Sequence, residues 1–336
     1  MYHATGSAVG VKGVKAMISM GKSTEYKVFS TTAGEKIYFP VATVTGAYPG
    51  PCLAVTAGIH GCEYPGIAAA IALFQELNPD QIHGTVRITP IVSVDAFEKR
   101  SPFVSPADGK NPNRFFPGNP EGTFTEVLTY HYLKDLLQGA DYHLDLHGGD
   151  MVEALEPFAL CHEGADPNID QKSFELACFY GLPNLVKTTW DGPWPDRGTT
   201  YANAAVNGIP SVIVEAGGIG QMDPDSVGLH LKGLRNVLRY LGILEGQPDK
   251  TFVQVYPEFR WVYTPWKGIF FRHVSVGDMV AIGQNVGEMR DYFGNVLGEI
   301  LSPVEGKVVF LTTCPAMAEQ GLLMGIACGQ AQEAGE

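Results

Sequence analysis

The sequence predicts an α/β fold, a mixed sheet flanked by helices, followed by a smaller all-β domain. In the first part of the chain, short apolar segments alternate with segments of helical periodicity, an order typical of a sheet buried between helices. After about residue 250, glycines recur at short intervals between short β-like runs. We therefore expect a large α/β domain at residues 1–250 and a C-terminal β domain, a small barrel or sandwich, at residues 251–336.

The individual elements follow from local pattern. Predicted strands lie at 53–59, 86–97, 142–147 and 209–218, where apolar and β-branched residues cluster. Predicted helices lie at 63–77, 125–138, 170–180 and 229–244. Pro65 falls in the first turn of the first helix, where proline is tolerated because its missing N–H has no intrahelical partner.

Composition excludes several classes of function. The chain of 336 residues has a formal net charge of -13 and no run of clustered lysine and arginine, so nucleic acid is not an expected partner. No apolar stretch is long enough to cross a bilayer, and the first 22 residues lack the apolar core of a secretory signal. The 6 cysteines form no Cys-x-x-Cys pair, which favours reduced thiols and a cytoplasmic location.

Three polar residues share one sequence context. His60, His147 and Glu215 each end or follow a predicted strand, and each comes shortly before glycine. In open α/β sheets functional groups gather beyond the carboxyl ends of the strands. Glycine there lets the backbone turn sharply or approach a ligand closely. We therefore expect these three side chains to meet at one edge of the sheet.

Glu63 follows His60 by three residues and begins the first predicted helix. Together with His147 the pair gives two imidazoles and one carboxylate, the donor set of a catalytic zinc site with a position left for water. The sequence thus predicts one Zn²⁺ per chain on His60, Glu63 and His147, with Glu215 as general base. Each of these residues alone also suits a structural role, and their order and common context favour the metal site.

The loop at 98–119 holds Arg100, Asn113 and Arg114. Arginine binds carboxylates through two parallel hydrogen bonds, so this loop suits capture of an anionic group, or else is a solvated surface loop. Trp190 and Trp194 stand in a second Pro-rich loop, where they line the mouth of the pocket or serve packing.

Four motifs, AGIHGCEYPG, NPNRFF, DLHGG and GIPSVIVEAGG, resemble the succinylglutamate desuccinylase/aspartoacylase family, which is similar to the zinc carboxypeptidases. The resemblance covers roughly residues 25–245, and the C-terminal segment looks like the β domain appended in this family, with lipoyl-like glycine spacing. It implies a zinc-carboxypeptidase-like fold. The family's usual Asp-x-Asn-Arg motif is Asn111-Pro112-Asn113-Arg114 here. We expect the loss of its acidic residue to alter how the loop is held.

The resemblance also implies roles for individual residues. It implies zinc on the three predicted ligands, Glu215 as acid and base, Asn113 and Arg114 on a substrate carboxylate, and Arg100 at the oxyanion. It places residues 197–201 near the pocket. The implied activity is hydrolysis of the amide bond of an N-acylated amino acid or similar small carboxylate-bearing amide.

Two alternatives stay open at the level of sequence. A zinc carboxypeptidase acting on peptides would use the same residues in a more open groove, and a non-catalytic metal-binding protein could share the fold. A free carboxylate beside the metal, as Glu215 would be, argues against the second. We expect a structural or oligomerisation role for the C-terminal domain. The acyl group, the amino acid, the physiological metal and homo-oligomerisation are left open.

Overall fold

The structure, a computed structural model, describes residues 20–192, 196–330 and 332–334. Residues 1–19, most of the segment in which the sequence predicts no secretory signal, lie outside the described residues. Trp194 lies outside them as well. The strands are β1 (Gly21–Ser30), β2 (Lys36–Thr45), β3 (Tyr48–Ala57), β4 (His83–Thr89), β5 (Tyr142–His147), β6 (Glu153–Leu155), β7 (Phe158–His162), β8 (Asn184–Thr188), β9 (Ser211–Glu215), β10 (Val253–Tyr256), β11 (Glu258–Tyr263), β12 (Gly268–Arg272), β13 (Met279–Val280), β14 (Asn285–Arg290), β15 (Val296–Leu301), β16 (Gly306–Thr312), β17 (Ala316–Met317), β18 (Leu322–Cys328) and β19 (Gln332–Ala334).

The α-helices are α1 (Tyr64–Glu76), α2 (Val94–Lys99), α3 (Phe124–His131), α4 (Pro167–Tyr180), α5 (Thr200–Val206) and α6 (Pro224–Tyr240). Short 3₁₀ turns lie at Pro79–Gln81 and Pro112–Arg114, and a π-helical turn continues α3 over Tyr132–Leu136. The observed helices begin within a few residues of the predicted ones. Asp166 and Asp223 cap α4 and α6 by accepting hydrogen bonds from backbone N–H groups, which starts both helices earlier than periodicity predicts.

Ten of the described strands form one mixed sheet in the order β1-β2-β4-β3-β5-β9-β7-β8-β10-β19. Its centre, β4-β3-β5-β9, is parallel, and β7 joins β9 in antiparallel fashion. Helices α1, α4 and α6 pack on one face, where Leu73, Leu176 and Leu234 share a buried core. Helix α3 and Ala204 of α5 belong to a second core. The predicted mixed sheet flanked by helices is confirmed.

The strand predicted at 86–97 is wrong in its second half. Strand β4 ends at Thr89, and residues 94–99 form α2. Pro90 cannot donate to a strand ladder, so the sheet pairing stops there. Beyond it, Val94 and Phe97 are spaced three residues apart, and the Phe97 N–H donates to the Ser93 carbonyl as in a helix. Apolar content alone did not distinguish this short helix from a strand.

The later strands build two further sheets. One contains β11, β18, β16 and β13, with β6 paired to β16, and the other has the order β15-β14-β12-β17. A separate apolar core that includes Val286, Met289, Val308 and Ile326 serves these sheets, so the all-β character of the C-terminal part is confirmed. Strands β10 and β19, by contrast, belong to the ten-stranded sheet. The division at residues 250 and 251 stays a prediction.

None of the helices in the described part of the chain combines the length and the apolar character that crossing a bilayer requires.

Candidate active site

The structure brings three of the predicted strand ends side by side. Strands β3, β5 and β9 are parallel neighbours, and His147 pairs in register with Glu215 at the ends of β5 and β9. His60 is the third residue after the end of β3, and Glu63 immediately precedes α1. The carboxyl-end edge of the sheet is therefore where the sequence predicts the site.

His60, Glu63 and His147 form a compact buried cluster that could hold a metal ion, with one ligand atom from each lying within 4.8 Å of the others. The Glu63 carboxylate lies between the two imidazoles. Its Oε1 is 2.6 Å from His60 Nδ1, and its Oε2 is 3.0 Å from His147 Nδ1. The three atoms converge on one point, as metal ligands from two histidines and a glutamate do.

Each imidazole is oriented by an oxygen atom that lies close to its Nε2. His147 Nε2 lies 3.0 Å from Asp145 Oδ2, and His60 Nε2 lies 3.0 Å from Asn111 Oδ1. Each Nε2 faces an oxygen that can accept its proton, and in that tautomer Nδ1 would be the nitrogen available to a metal ion. Hydrogen bonds of this kind commonly fix the tautomer and orientation of metal-binding histidines.

A cation fits this arrangement. Glu63 Oε2 is buried and, among the described residues, receives no hydrogen bond, although His147 Nδ1 is close. A buried polar atom without a partner is costly. A metal ion held by His60, Glu63 and His147 would satisfy this oxygen, and two imidazoles with one carboxylate are a donor set that suits Zn²⁺.

The charges at the cluster reinforce one another. Burial by itself raises the pKa of Glu63, but the charges of His60 and His147 outweigh it and lower that pKa to about 2. For His147, burial opposes the charged form, yet Glu63 and Asp145 raise the pKa of the imidazole well above its usual range. Positive charge is thus strongly favoured at the point where the three ligand atoms meet.

Asp145 is fixed by a buried hydrogen-bond network. Its Oδ1 accepts from the Thr56 hydroxyl at 2.7 Å, and its Oδ2 accepts from the Thr200 hydroxyl at 2.6 Å. Thr56 is in turn 2.9 Å from His143 Nε2. His143, Asp145 and His147 share one face of β5, as alternation along a strand requires. The network holds the carboxylate that orients His147 and leaves Nδ1 free to face the metal position.

Glu215 lies beside the cluster without joining it. Its Oε1 is 4.0 Å from His147 Nδ1, and the side chain lines the adjoining cavity. Burial raises the pKa of Glu215 well above its usual range, His147 opposes the rise, and Glu63 and Glu153 add to it. A divalent cation at the neighbouring ligands would favour the ionised carboxylate. The arrangement suits a proton acceptor whose ionisation depends on the metal.

Asn113 and Arg114 line the same cavity. Asn113 Oδ1 accepts from the Thr200 N–H at 2.9 Å, which docks this loop against the start of α5. A Cβ on Gly198 would lie 2.3 Å from the Arg114 carbonyl oxygen, so only glycine permits the two loops to approach this closely. The Arg114 side chain is exposed, and its Nη1 donates to the Asn113 carbonyl oxygen at 2.7 Å. Both residues therefore belong to the cavity wall.

Arg100 is not brought to the cavity wall. It is exposed, adopts a left-handed conformation with φ of 53° at the C-terminal end of α2, and is absent from the lining residues described. Trp190 likewise lies away from the cavity wall, and the Arg197 guanidinium stacks on it with its centre 5.4 Å from the ring. The catalytic role of Arg100 stays a prediction.

The cavity has a volume of about 470 Å³ and draws its walls from both parts of the chain. The first part of the chain contributes the His60-Glu63-His147 cluster, Glu215 and Arg114 to the wall. Strands β11 and β16 contribute Phe259, Trp261, Tyr263, Phe310 and Thr312. Such a volume is typical of a site for a small molecule.

Comparison with known proteins identifies the family. The sequence profile of the succinylglutamate desuccinylase/aspartoacylase catalytic domain matches residues 49–241. An N-alpha-acetyl-L-2,4-diaminobutyric acid deacetylase from Halomonas elongata is 30% identical over 271 residues, spanning 76% of this chain and 75% of the relative. The chain belongs to the succinylglutamate desuccinylase/aspartoacylase family.

Solved structures of the succinylglutamate desuccinylase/aspartoacylase family share the whole architecture. The product-bound ectoine utilization protein EutE (DoeB) from Ruegeria pomeroyi superposes with a TM-score of 0.81 at 26% identity, over 92% of this chain and 96% of that one. A succinylglutamate desuccinylase/aspartoacylase from Rhodobacter sphaeroides gives a TM-score of 0.80 at 26% identity, over the same shares of 92% and 96%. The likeness therefore extends beyond the catalytic segment into the C-terminal sheets.

Several cavity residues are missing from the sequence-based prediction. Asn111, at the departure from the family motif, accepts from His60 Nε2 and from the Asn113 N–H, so its amide oxygen holds both the imidazole and the loop. Phe259, Trp261 and Tyr263 alternate along β11, a period-two signal that could have indicated a common face. Glu153 of β6 also lines the cavity, and no local sequence signal pointed to it.

The double glycines after His147 and Glu215 are explained by Glu153. Its carbonyl oxygen accepts from the Ile219 N–H at 2.8 Å and lies directly against both glycine loops. A Cβ on Gly149 would be 2.4 Å from that oxygen, and one on Gly218 would be 2.3 Å from it. The glycines thus admit the backbone of β6 beside the metal-binding cluster.

A methyl group at Gly149 should therefore be destabilising. We expect Gly149→Ala to lower the free energy of unfolding by about 1–3 kcal/mol, because the backbone of β6 must move. Gly228→Ala in α6 is the matched control, since its Cβ meets nothing within 4 Å. That change should be neutral or stabilising by up to about 1 kcal/mol. Urea unfolding of both variants checks this, and equal stability of the two would contradict it.

Proposed function

We propose that this protein is a zinc-dependent amide hydrolase that deacylates small N-acylated amino acids. The observation that supports this best is the arrangement of Glu215 beside an oriented His-Glu-His cluster, with Arg114 in the same cavity. Membership of the succinylglutamate desuccinylase/aspartoacylase family supports the same reaction class.

His60, Glu63 and His147 would hold one Zn²⁺ per chain. When bound, the ion supplies a Lewis acid for the amide carbonyl and lowers the pKa of water towards neutrality. The three ligands come from the end of β5, the turn after β3 and the start of α1, and all three line the cavity, so a substrate bound there could reach the ion.

Glu215 acts as the general base in this proposal. It lies within reach of a water in the cavity, removes a proton from it as the water attacks the amide carbon, and delivers that proton to the leaving amine. Arg114 and Asn113 bind the substrate carboxylate and so fix the distance between the scissile amide and Glu215. We further propose that Arg100 stabilises the oxyanion, which requires its exposed loop to close over the substrate.

Peptide cleavage by a carboxypeptidase is the second candidate. Strands β11 and β16 line the cavity with aromatic residues, and its volume of about 470 Å³ suits a small amide better than an extended peptide. We therefore favour a single N-acylated amino acid over a peptide as the substrate.

Amine release from a panel of substrates tests the proposal. Purified protein loaded with zinc should hydrolyse at least one N-acetylated amino acid, and the panel includes N-acetylated 2,4-diaminobutyrate because the Halomonas elongata relative is named for it. A peptide with a free C-terminus serves as the comparison substrate. Turnover of the peptide alone would favour the carboxypeptidase, and turnover of neither would contradict the proposed function.

A further inference from the structure

The cavity is lined in part by apolar side chains that the proposed reaction does not use. Six of the described lining residues, contributed by β6, β7, β9 and β11, are named here the apolar wall: Leu155, Phe158, Leu160, Ile213, Phe259 and Trp261. Four of them expose at most 5% of their surface and belong to one hydrophobic core, against which Leu155 and Trp261 pack. The cavity therefore reaches the interior of the protein.

One half of the apolar wall begins directly beside Glu215. Strand β7 runs antiparallel to β9, with Phe158 opposite Glu215 and Leu160 opposite Ile213. Residues directly opposite each other in such a pair point to the same side of the sheet, as do residues two apart along one strand. Phe158, Leu160 and Ile213 therefore share the face that presents the proposed base.

The other half includes a row of large side chains across a second sheet. Leu155 of β6 lies opposite Phe310 of β16, and both Phe310 and Trp261 of β11 lie opposite Gly325 of β18. A Cβ on Gly325 would be 3.0 Å from Trp261 Cζ3, so glycine lets the indole lie close against this strand. The side chains on the two sides of Gly325 thus share one face of the sheet.

Ring contacts join the two halves of the apolar wall. The Phe158 ring stacks with that of Phe259, with centroids 6.1 Å apart. Trp261 meets Phe259 edge-on at 4.6 Å and Phe310 edge-on at 5.0 Å. Aromatic pairs in these geometries stabilise one another beyond the area they bury. The apolar wall is therefore formed before a substrate binds.

A wall of this kind favours an apolar group over a charged one. Water beside apolar side chains has few hydrogen-bond partners, so its displacement by an aliphatic or aromatic group is favourable. Each methylene that is buried strengthens binding by about three- to fourfold. A carboxylate in the same place would lose its hydration against side chains that are largely hydrocarbon, which is costly.

We propose that the apolar wall selects substrates with a branched aliphatic or aromatic group, so that the substrate class is an N-acylated amino acid carrying such a group. This inference rests on the proposed function and deepens it. The group can belong to the acyl chain or to the amino acid side chain, because its chemistry at the wall is the same. Asn113 and Arg114 keep the substrate carboxylate, and Glu215 keeps the reacting amide.

Two pairs of substrates of nearly equal shape test the inference. N-acetylleucine and N-acetylaspartate differ in the side chain, where two methyl groups replace two carboxylate oxygens. N-(4-methylpentanoyl)alanine and N-succinylalanine differ in the same way in the acyl chain. We expect the zinc-loaded wild type to prefer the apolar member of at least one pair by about tenfold or more in kcat/KM. The pair that shows the preference identifies the part of the substrate that lies at the wall.

Leu155→Asn tests whether the apolar wall is the source of this preference. The asparagine side chain has nearly the size of leucine but places polar atoms in the wall. We expect it to lower kcat/KM for the preferred apolar substrate by about 5- to 20-fold and to leave the charged partner within about twofold. Leu301→Asn is the matched control, because Leu301 is 50% exposed on β15 and is not among the described lining residues. It should leave both substrates unchanged.

Calorimetry of the products gives a readout that does not depend on turnover. Leucine should bind more tightly than aspartate, or 4-methylpentanoate more tightly than succinate. The apolar member of that pair should also show the more negative heat-capacity change, as burial of apolar surface requires. These comparisons use the wild type, so they remain decisive if Leu155→Asn does not fold.

The outcomes separate this inference from the function on which it rests. Equal rates and equal product affinities within both pairs overturn the inference, and so does a preference for the charged member of both. Equal losses of Leu155→Asn on the two members of the selective pair assign the wall a structural role and overturn it as well. In each case the deacylase function stands. A wild type inactive on every N-acylated amino acid overturns the proposed function, and the product affinities then decide the binding role of the wall alone.

Discussion

Replacing Glu215 by glutamine should reduce kcat by about a thousandfold, within the range that a positioned general acid-base contributes. Glutamine keeps the size and the hydrogen-bonding oxygen of the side chain but cannot take the proton of the attacking water. The metal should remain bound, because Glu215 Oε1 lies 4.0 Å from His147 Nδ1 and is not one of the three clustered ligands. Steady-state kinetics and elemental analysis of the same preparation measure both effects.

The matched control for this change is Glu25→Gln on the exposed face of β1, which should keep wild-type kcat and metal content. A Glu215→Gln variant with near wild-type kcat would remove the residue from the proposed chemistry. Loss of the metal together with activity would instead indicate that Glu215 acts as a ligand. KM should change little, because the substrate is bound through Arg114 and Asn113 in the proposal.

Replacing His60 by alanine should abolish both metal binding and turnover. The wild type should contain about one zinc per chain. Loss of an outer hydrogen-bond partner of a metal ligand typically weakens binding by about 10- to 100-fold, and loss of a ligand itself should cost more. Elemental analysis of protein purified without added metal checks the prediction.

His273→Ala is the control for the His60 variant, since His273 is exposed in the C-terminal part and contacts Asn285. It should retain full zinc and full activity. Zinc retained by His60→Ala would exclude that residue as a ligand. A wild type that stays metal-free after incubation with zinc would reduce the likeness to the family to a shared fold.

The centre of the fold and of the site is readable in the sequence because local patterns there agree with the tertiary arrangement. Strands β3, β5 and β9 are buried on both faces, so they appear as short apolar runs. Strands β5 and β9 end at His147 and Glu215, and β3 is followed by His60 three residues after its end, with a glycine shortly after each of these residues. His60, His147 and Glu215 meet because the parallel strands that carry them are neighbours, and nothing beyond strand order is needed to bring them together.

Other parts of the site depend on contacts that no local pattern encodes. Strand β6 is three residues long and pairs with β16, more than 150 residues later in the chain, so Glu153 gave no periodic signal. Asn111 holds His60 across a loop, which only the three-dimensional path reveals. The position of Arg100 follows from its left-handed backbone conformation at the end of α2, which the sequence does not predict.

The pairing of β6 with β16 brings two distant stretches of sequence together at the cavity, and each stretch supplies different residues to its wall. The His60-Glu63-His147 cluster and Glu215 come from the stretch before residue 220, whereas aromatic residues of the wall come from β11 and β16. Substitutions in those later strands can reshape the space offered to an acyl or amino acid group while leaving the reacting groups untouched. Relatives can therefore diverge in substrate preference while inheriting one chemistry, and exchange of the C-terminal strands between them is a route to new selectivity.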